Sequence, residues 1–208
     1  FVMKSDGNEF SDALRILAQR AGVELLGGRP SKERDNFYSV NRLAENFYRE
    51  LLLKNEGKRA ICYLDRRGVN QESREKFCLG YSSVRKDSLK NHLVFHEVDL
   101  DLAVECGLLR KAENGSLRDF FRGRLMYPIH DRQGRTVGFG GRVLDESGPK
   151  YINTQATQVF DKRRTLYGLD IALNSIRTLG EVIIVEGYMD VIAAHEFGFS
   201  NVIASMGT

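Results

Sequence analysis

Tryptophan is absent from the 208 residues, and proline (three), cysteine (three) and histidine (four) are scarce. Cys62, Cys78 and Cys106 stand far apart with no C-x-x-C pair, so neither a disulfide framework nor a zinc site is expected. Buried free thiols in a reducing, cytoplasmic setting fit instead. His92, His96, His130 and His195 make no metal or triad spacing. His92 and His96 are four apart but lack the H-E-x-x-H pattern, and are read as packing residues. No apolar run approaches the roughly 18 residues that cross a bilayer, and the opening "FVMKSDGNEF" is too mixed for a signal peptide. That opening, on Phe1 rather than a methionine, reads as the start of a fragment.

What is present points to a folded chain with a localised charge. Hydrophobic residues make up 42% and charged residues 28%, enough to bury a core. The net charge is only +3, but its distribution is uneven. Residues 118–142 hold six arginines against two aspartates, and residues 150–164 hold four cations against one aspartate. Everything else is therefore mildly acidic. A basic zone of this kind suits a phosphate backbone, and equally a solvated charged face.

Periodicity divides the chain. Phe10, Ala13, Leu14, Leu17, Ala18 and Ala21 mark a helix, and "GGRPSKERD" reads as a linker. A second helix carries Val40, Leu43, Phe47 and Leu51 and stops at Gly57, with shorter helices over 59–67, 71–77, 86–96 and 99–106. "LMYPIHD" and "TVGFGGRVLD" flank "RQGR" as a hairpin with Gly134 in its turn, and Pro128 marks the first strand as an edge or a bulge. The last third reads as a helix ("LYGLDIALNSIRTL"), a buried strand ("EVIIV"), a helix ("YMDVIAAHEFG") and a second buried strand ("NVIASM"). Strand, helix and strand in so few residues make a βαβ unit with a parallel pair.

Chemistry concentrates at three places. Glu186 stands at the carboxyl end of the "VIIV" strand, Gly187 permits a sharp turn, and Asp190 follows in the first turn of the next helix. Two hard oxygen donors at one point suit Mg²⁺. The same short pattern also reads as a helix-dipole partner and a capping substitute. "GFGGRVL" lacks a full G-x-G-x-x-G and no helix follows it, so it is not a dinucleotide site. Its glycines are read as letting the backbone approach another chain or a nucleic acid, with Arg142 emerging at the strand's end. "PKYINT" offers Lys150 as a phosphate contact, Tyr151 as a stacking platform and Asn153 as a hydrogen-bonding amide, a set suited to single strands.

Several stretches together resemble the bacterial replicative DNA primases of the DnaG type. They are "FRGRLMYPIHDRQGRTVGFGGRVL", "PKYINTQATQVFDKRRTLYGL" and "IIVEGYMDVIAAHEFGFSNVIASMGT", with "YLDRRGVNQESREKFCLGYS" and "FSDALRILAQRAGVEL" upstream. The resemblance covers essentially the whole chain and is most specific from Phe121 onward. It implies an α+β and α/β architecture: a mixed helical and antiparallel-strand lobe followed by the start of a Toprim-like parallel βαβ domain. The implied divisions are a helical segment over 1–30 after an absent zinc module, a lobe with a basic groove over 31–165, and the first part of the Toprim domain over 166–208.

The resemblance further implies that Glu186 is a metal ligand and catalytic residue with Asp190 beside it. Arg67, Arg142, Lys150, Tyr151, Asn153 and Lys162 would line the groove for template and nucleotide. Mg²⁺ or Mn²⁺ is the implied cofactor, with zinc expected only in the missing amino-terminal module. Single-stranded DNA, ribonucleoside triphosphates and, through a missing carboxyl-terminal module, a replicative helicase are the implied partners; no membrane is involved. Where the family often has "HKG" this chain has Asp161, Lys162 and Arg163. The family's later D-x-D pair is not reached before Thr208, so the chain is expected to hold an incomplete site.

The implied function is that of a nucleotidyltransferase making RNA primers in the bacterial cytoplasm, near the nucleoid. A non-catalytic single-strand-binding fragment and another Toprim enzyme, a topoisomerase or nuclease, are the competing readings. No nucleophilic tyrosine is marked for the latter.

Overall fold

One strand, alternating its residues between two faces, organises the molecule. In β4 (Arg124–His130), Leu125, Tyr127 and Ile129 enter one hydrophobic cluster while Met126 enters another. A strand covered on both sides in this way needs apolar residues throughout rather than strict alternation. The computed structural model describes residues 32–145 and 148–206, together with Leu17. The chain divides into two compact units, Phe1–Asp35 and Asn36–Thr208. The helix expected over residues 10–21 lies, except for Leu17, outside the described residues.

A four-stranded antiparallel sheet, ordered β1-β4-β5-β6, forms the centre of the second unit. It comprises β1 (Gly80–Ser82), β4, β5 (Thr136–Val143) and β6 (Tyr151–Asn153). The β4–β5 hairpin turns at Gly134, whose φ of 76° needs glycine. Asp131 fixes that turn by accepting from the amides of Gln133 and Arg135. Pro128 does not mark an edge strand, because β4 is flanked on both sides. The pairing with β1 ends at Gly80 opposite Met126, so that side of Pro128 has no ladder bond to lose. The register shift lies just beyond, between Ile129 and His130.

Helices cover the two faces. On one side, α1 (Lys32–Leu53) buries Phe37, Val40, Ala44, Phe47, Tyr48 and Leu51. It packs there with α4 (Ser88–Phe95) and α5 (Leu100–Glu105) in the cluster that contains Phe121 and Phe139. The linker expected over "GGRPSKERD" is interrupted, since α1 begins at Lys32. Lysine, glutamate and arginine are good helix formers, and the polar composition concealed that. On the other side lie α2 (Lys58–Arg66) and α3 (Gln71–Lys76). A small hairpin, β2 (Leu109–Lys111) with β3 (Leu117–Asp119), completes this part.

The last segment is a mixed three-stranded sheet ordered β7-β9-β8, with β8 (Ile183–Val185) parallel to β9 (Val202–Ser205). The βαβ expectation is met by β8, α7 (Tyr188–Glu196) and β9. Two details differ. Leu166 and Tyr167 form β7, antiparallel to β9, and the helix α6 starts only at Leu169. β8 was expected to be buried, yet Ile183 and Ile184 are 43% and 63% exposed. β8 is the edge of its sheet among the described residues, and apolar composition alone does not reveal which strand is the edge. β9, in the centre, is buried at Val202, Ile203 and Ala204.

Helix α4 shows how the tertiary fold completes a local element. Its own N-cap, Asp87, makes no side-chain cap. Instead Asp119, at the end of β3, accepts from the amides of Leu89 (2.8 Å) and Lys90 (2.9 Å). Burial pushes the Asp119 carboxyl up to about 6, even though those two amides pull the other way. The folded state therefore holds this proton more tightly than the unfolded chain. Its contribution to stability is full below the ordinary aspartate value and is lost as pH rises toward 6. Urea unfolding of wild type and Asp119→Asn should show the wild type losing on the order of 2 kcal/mol relative to the variant between pH 4 and pH 7. A difference that does not change with pH would contradict this account.

Candidate functional site

An open cleft of about 560 Å³ lies where the carboxyl ends of β8 and β9 meet the β5–β6 edge of the central sheet. Sheet register accounts for much of its lining. Arg142 on β5 is directly opposite Tyr151 on β6, and Gly140 is opposite Asn153. The period of two then puts Tyr151 and Asn153 on one face of β6. Arg67 arrives from the C-cap of α2, and Lys150 and Lys162 from the segments on either side of β6. Glu186 follows β8 immediately, and Asp190 lies in the first turn of α7. All eight residues singled out from the sequence line this one cleft.

The charged groups divide by sign. Glu186 and Asp190 are exposed carboxylates, while Arg67, Lys150 and Lys162 are exposed cations and Arg142 is half-buried. Arg142 is held from several sides. Its Nη1 donates to the Tyr151 hydroxyl at 2.9 Å, and its guanidinium lies 4.6 Å from the Tyr63 ring centre and 5.3 Å from that of Tyr151. Burial works against the Arg142 charge but is outweighed by the Tyr151 hydroxyl and neighbouring tyrosines, so its pKa is raised. Its Nε and the Tyr63 hydroxyl have no hydrogen-bond partner among the described residues. Tyr63 also has Arg67 over its ring at 5.4 Å, so one tyrosine braces both arginines.

Tyr151 and Asn153 also bond within the chain. Tyr151 is committed to Arg142, and Asn153 is committed to the protein on both ends of its amide. The Tyr188 hydroxyl donates to Asn153 Oδ1 at 2.8 Å, and Asn153 Nδ2 donates to the Met206 carbonyl at 3.5 Å. In the free protein, these two residues hold the cleft wall together.

Tyr188 is the residue the sequence reading passed over. It lies between Glu186 and Asp190 in "EGYMD", stacks on Tyr127 at 4.8 Å and 12°, and meets Tyr167 edge-on at 4.7 Å. Gly140 makes room for it: a Cβ there would come within 2.5 Å of Tyr188 Cζ. The other strand glycines serve the same end, Gly138 against Thr154 and Phe160, and Gly141 against Phe121 and Arg124. The expectation that these glycines admit another chain or a nucleic acid is therefore corrected. They accommodate this chain's own side chains. Tyr63, Met189, Ser205 and Met206 also line the cleft without having been singled out. Tyr63 carried one available signal, its position four before Arg67 on a helix.

Residues 47–173 match the family described as DNA primase catalytic core, N-terminal domain, and residues 180–208 match the Toprim domain. The DNA primase of Deinococcus radiodurans is 44% identical over 209 residues, which take in 100% of this chain and 36% of that protein. The RNA polymerase domain of Mycobacterium tuberculosis primase DnaG, solved with a double-stranded DNA oligomer bearing a 6-nucleotide overhang, superposes with a TM-score of 0.80. It is 33% identical and matches 84% of this chain and 55% of that one. A DnaG primase catalytic domain bound to single-stranded DNA gives a TM-score of 0.78 at 35% identity, over 85% of this chain and 57% of that one. The chain thus spans about a third of the length of the curated relatives it matches.

The contact between Gly140 and Tyr188 can be tested directly. Gly140→Ala places a methyl group where the ring stands and should destabilise the chain by about 1–3 kcal/mol. Urea unfolding measures the loss. Pairing it with Tyr188→Ala, which vacates the space, should recover part of the loss in a double-mutant cycle. Additive effects would show that the two positions do not meet.

Proposed function

This chain belongs to the DNA primase catalytic-core family, and on that premise we propose that it is the template- and nucleotide-holding part of a nucleotidyltransferase that makes short RNA primers on single-stranded DNA. One observation carries the reading: four cations and two carboxylates face the same open cleft. Phosphate-rich strands and triphosphates need the cations, and a divalent metal needs the carboxylates. The DNA bound in the two similar structures supports a nucleic-acid partner.

In this reading Lys150, Lys162, Arg67 and Arg142 neutralise template and triphosphate oxygens. Tyr63 and Tyr151 keep Arg142 extended toward the cleft. The Nε of Arg142 and the Tyr63 hydroxyl are buried behind the cleft surface and have no hydrogen-bond partner among the described residues, so the Arg142 Nη groups are the ones left to meet a phosphate. Glu186 and Asp190 form an exposed, oxygen-only donor set, which fits Mg²⁺ or Mn²⁺ as the cofactor. Glu186 is the residue to hold the ion, with Asp190 beside it. Such an ion, when bound, neutralises the charge gathering on the transferred phosphate and favours the attacking hydroxylate. The rest of the rate enhancement comes from positioning, since no side chain here needs to form a covalent bond to substrate. A replicative helicase is the proposed macromolecular partner of the longer protein, working in the bacterial cytoplasm at the nucleoid.

Two substitutions test the parts separately. In the full-length protein, Glu186→Gln should lower primer synthesis at least about 100-fold with template, ribonucleotides and Mg²⁺ present, while single-strand binding stays within about two-fold. Near-normal synthesis would remove Glu186 from the chemistry. Lys150→Ala should weaken binding to every template sequence and reduce the slope of log affinity against log salt by about 0.7–1. An unchanged slope would leave Lys150 on a merely solvated face.

A further inference from the structure

Away from the cleft, and sharing no residue with it, a second cluster of ligand-type side chains lies inside the second unit. Glu45 of α1 is buried, Cys78 stands between α3 and β1, and His130 ends β4. Their donor atoms all lie within 4.8 Å of one another. No linear pattern joins them, because they come from three separated segments.

The local backbone is irregular at two of the three. Cys78 has a φ of 51°, one of two positive values at non-glycine residues among those described. His130 follows directly on the register shift in the β4–β5 ladder. At Cys78 the positive φ is that of a left-handed residue closing α3, where the Leu79 amide donates to the Arg74 carbonyl at 2.9 Å. Both irregularities here deliver a ligating side chain to the same point.

The surroundings match a metal site's outer contacts. His130 Nε2 lies 2.9 Å from Glu45 Oε2, and its Nδ1 lies 3.4 Å from Asp170 Oδ2 at the start of α6. A carboxylate on one ring nitrogen, with the other facing the ligand set, is the usual support for a metal-bound imidazole. Thr136 Oγ1 donates to Glu45 Oε2 at 2.7 Å, which orients that carboxylate. The wider charge environment is Asp131 near His130 and Asp170, and Arg49, whose Nη1 is 3.9 Å from Glu45 Oε1. Arg49 opposes a cation there, and three carboxylates offset it.

We propose that Glu45, Cys78 and His130 bind one zinc ion, with water in the fourth position, as a structural clamp between α1, the α3–β1 junction and β4. A thiolate, an imidazole and a carboxylate form a donor set that suits zinc. Around a tetrahedral zinc such donors stand about 3.4–3.6 Å apart, so side chains already this close need only small rotations to close on the ion. Binding replaces the Cys78 S–H bond by an S–Zn bond and releases that proton to solvent. The ion would also displace the direct His130–Glu45 hydrogen bond, and His130 would bind as neutral imidazole with its Nδ1–H donated to Asp170.

The test uses the 208-residue chain, reduced and freed of metal, with zinc or cobalt added. One equivalent of zinc should bind and raise the melting temperature by several degrees, reversibly with a chelator. Cobalt should give a thiolate charge-transfer band in the near ultraviolet. That band should vanish in Cys78→Ser and persist in Cys62→Ser, whose thiol is exposed and lies outside the cluster. Asp170→Asn, which keeps all three ligands, should weaken zinc binding about 10- to 100-fold; it carries the test if Cys78→Ser does not fold. Absence of a thiolate band, no zinc-dependent shift in melting, or unaltered affinity in Asp170→Asn would each overturn the site and leave a hydrogen-bonded cluster.

Discussion

The rest of the structure depends on one close approach, the ring of Tyr188 lying against the bare backbone of Gly140. Tyr188 opens the helix that follows Glu186, and Gly140 lies in the middle of the central sheet. Because no Cβ intervenes, the βαβ segment can move in until Tyr188 stacks on Tyr127 and meets Tyr167. Stacked and edge-on tyrosines give such an interface both buried area and a preferred geometry. The Tyr188 hydroxyl then finds Asn153, the polar partner that a buried phenol requires. Burial raises the Tyr188 pKa, so the group remains a donor.

That contact brings the two charge systems into one space. The carboxylates sit at the end of β8 and the start of α7, while the cations sit on or beside α2, β5 and β6. Neither set is remarkable alone, and each has a bland explanation as a solvated surface. Facing each other across one open cleft, they form the arrangement on which the proposed template- and metal-holding role rests. The aromatic and amide side chains between them largely hold the walls: Tyr63 braces two arginines, Tyr151 binds one of them, and Asn153 links β6 to Tyr188 and Met206.

Misreadings of the sequence share a cause. Apolar residues in β8 were read as burial, but burial depends on what covers a strand, and β8 is an edge among the described residues. The glycines of β5 were read as an opening for a ligand, yet the space is filled by Tyr188, Phe121, Thr154 and Phe160. Pro128 was read as marking an edge or a bulge; β4 is no edge, but one flanking strand ends before reaching Pro128, and a register shift follows between Ile129 and His130. For the glycines the constraint was recognised correctly, and the neighbours that satisfy it come from distant parts of the chain.

Local information was enough for the described helices, the hairpin with its Gly134 turn and the βαβ unit, because periodicity, turn chemistry and short motifs act over a few positions; Arg67 and Lys162 of the cleft came from the family resemblance alone. Local information was not enough to show that Glu45, Cys78 and His130 come together, because they stand on three separated segments. Nor did it reveal Tyr188 as the hinge of the packing, or Asp119 as the cap of a helix begun thirty residues earlier. Those depend on contacts between segments far apart in sequence, and only the folded chain brings such segments within the few ångströms over which hydrogen bonds, ring contacts and ligand sets operate.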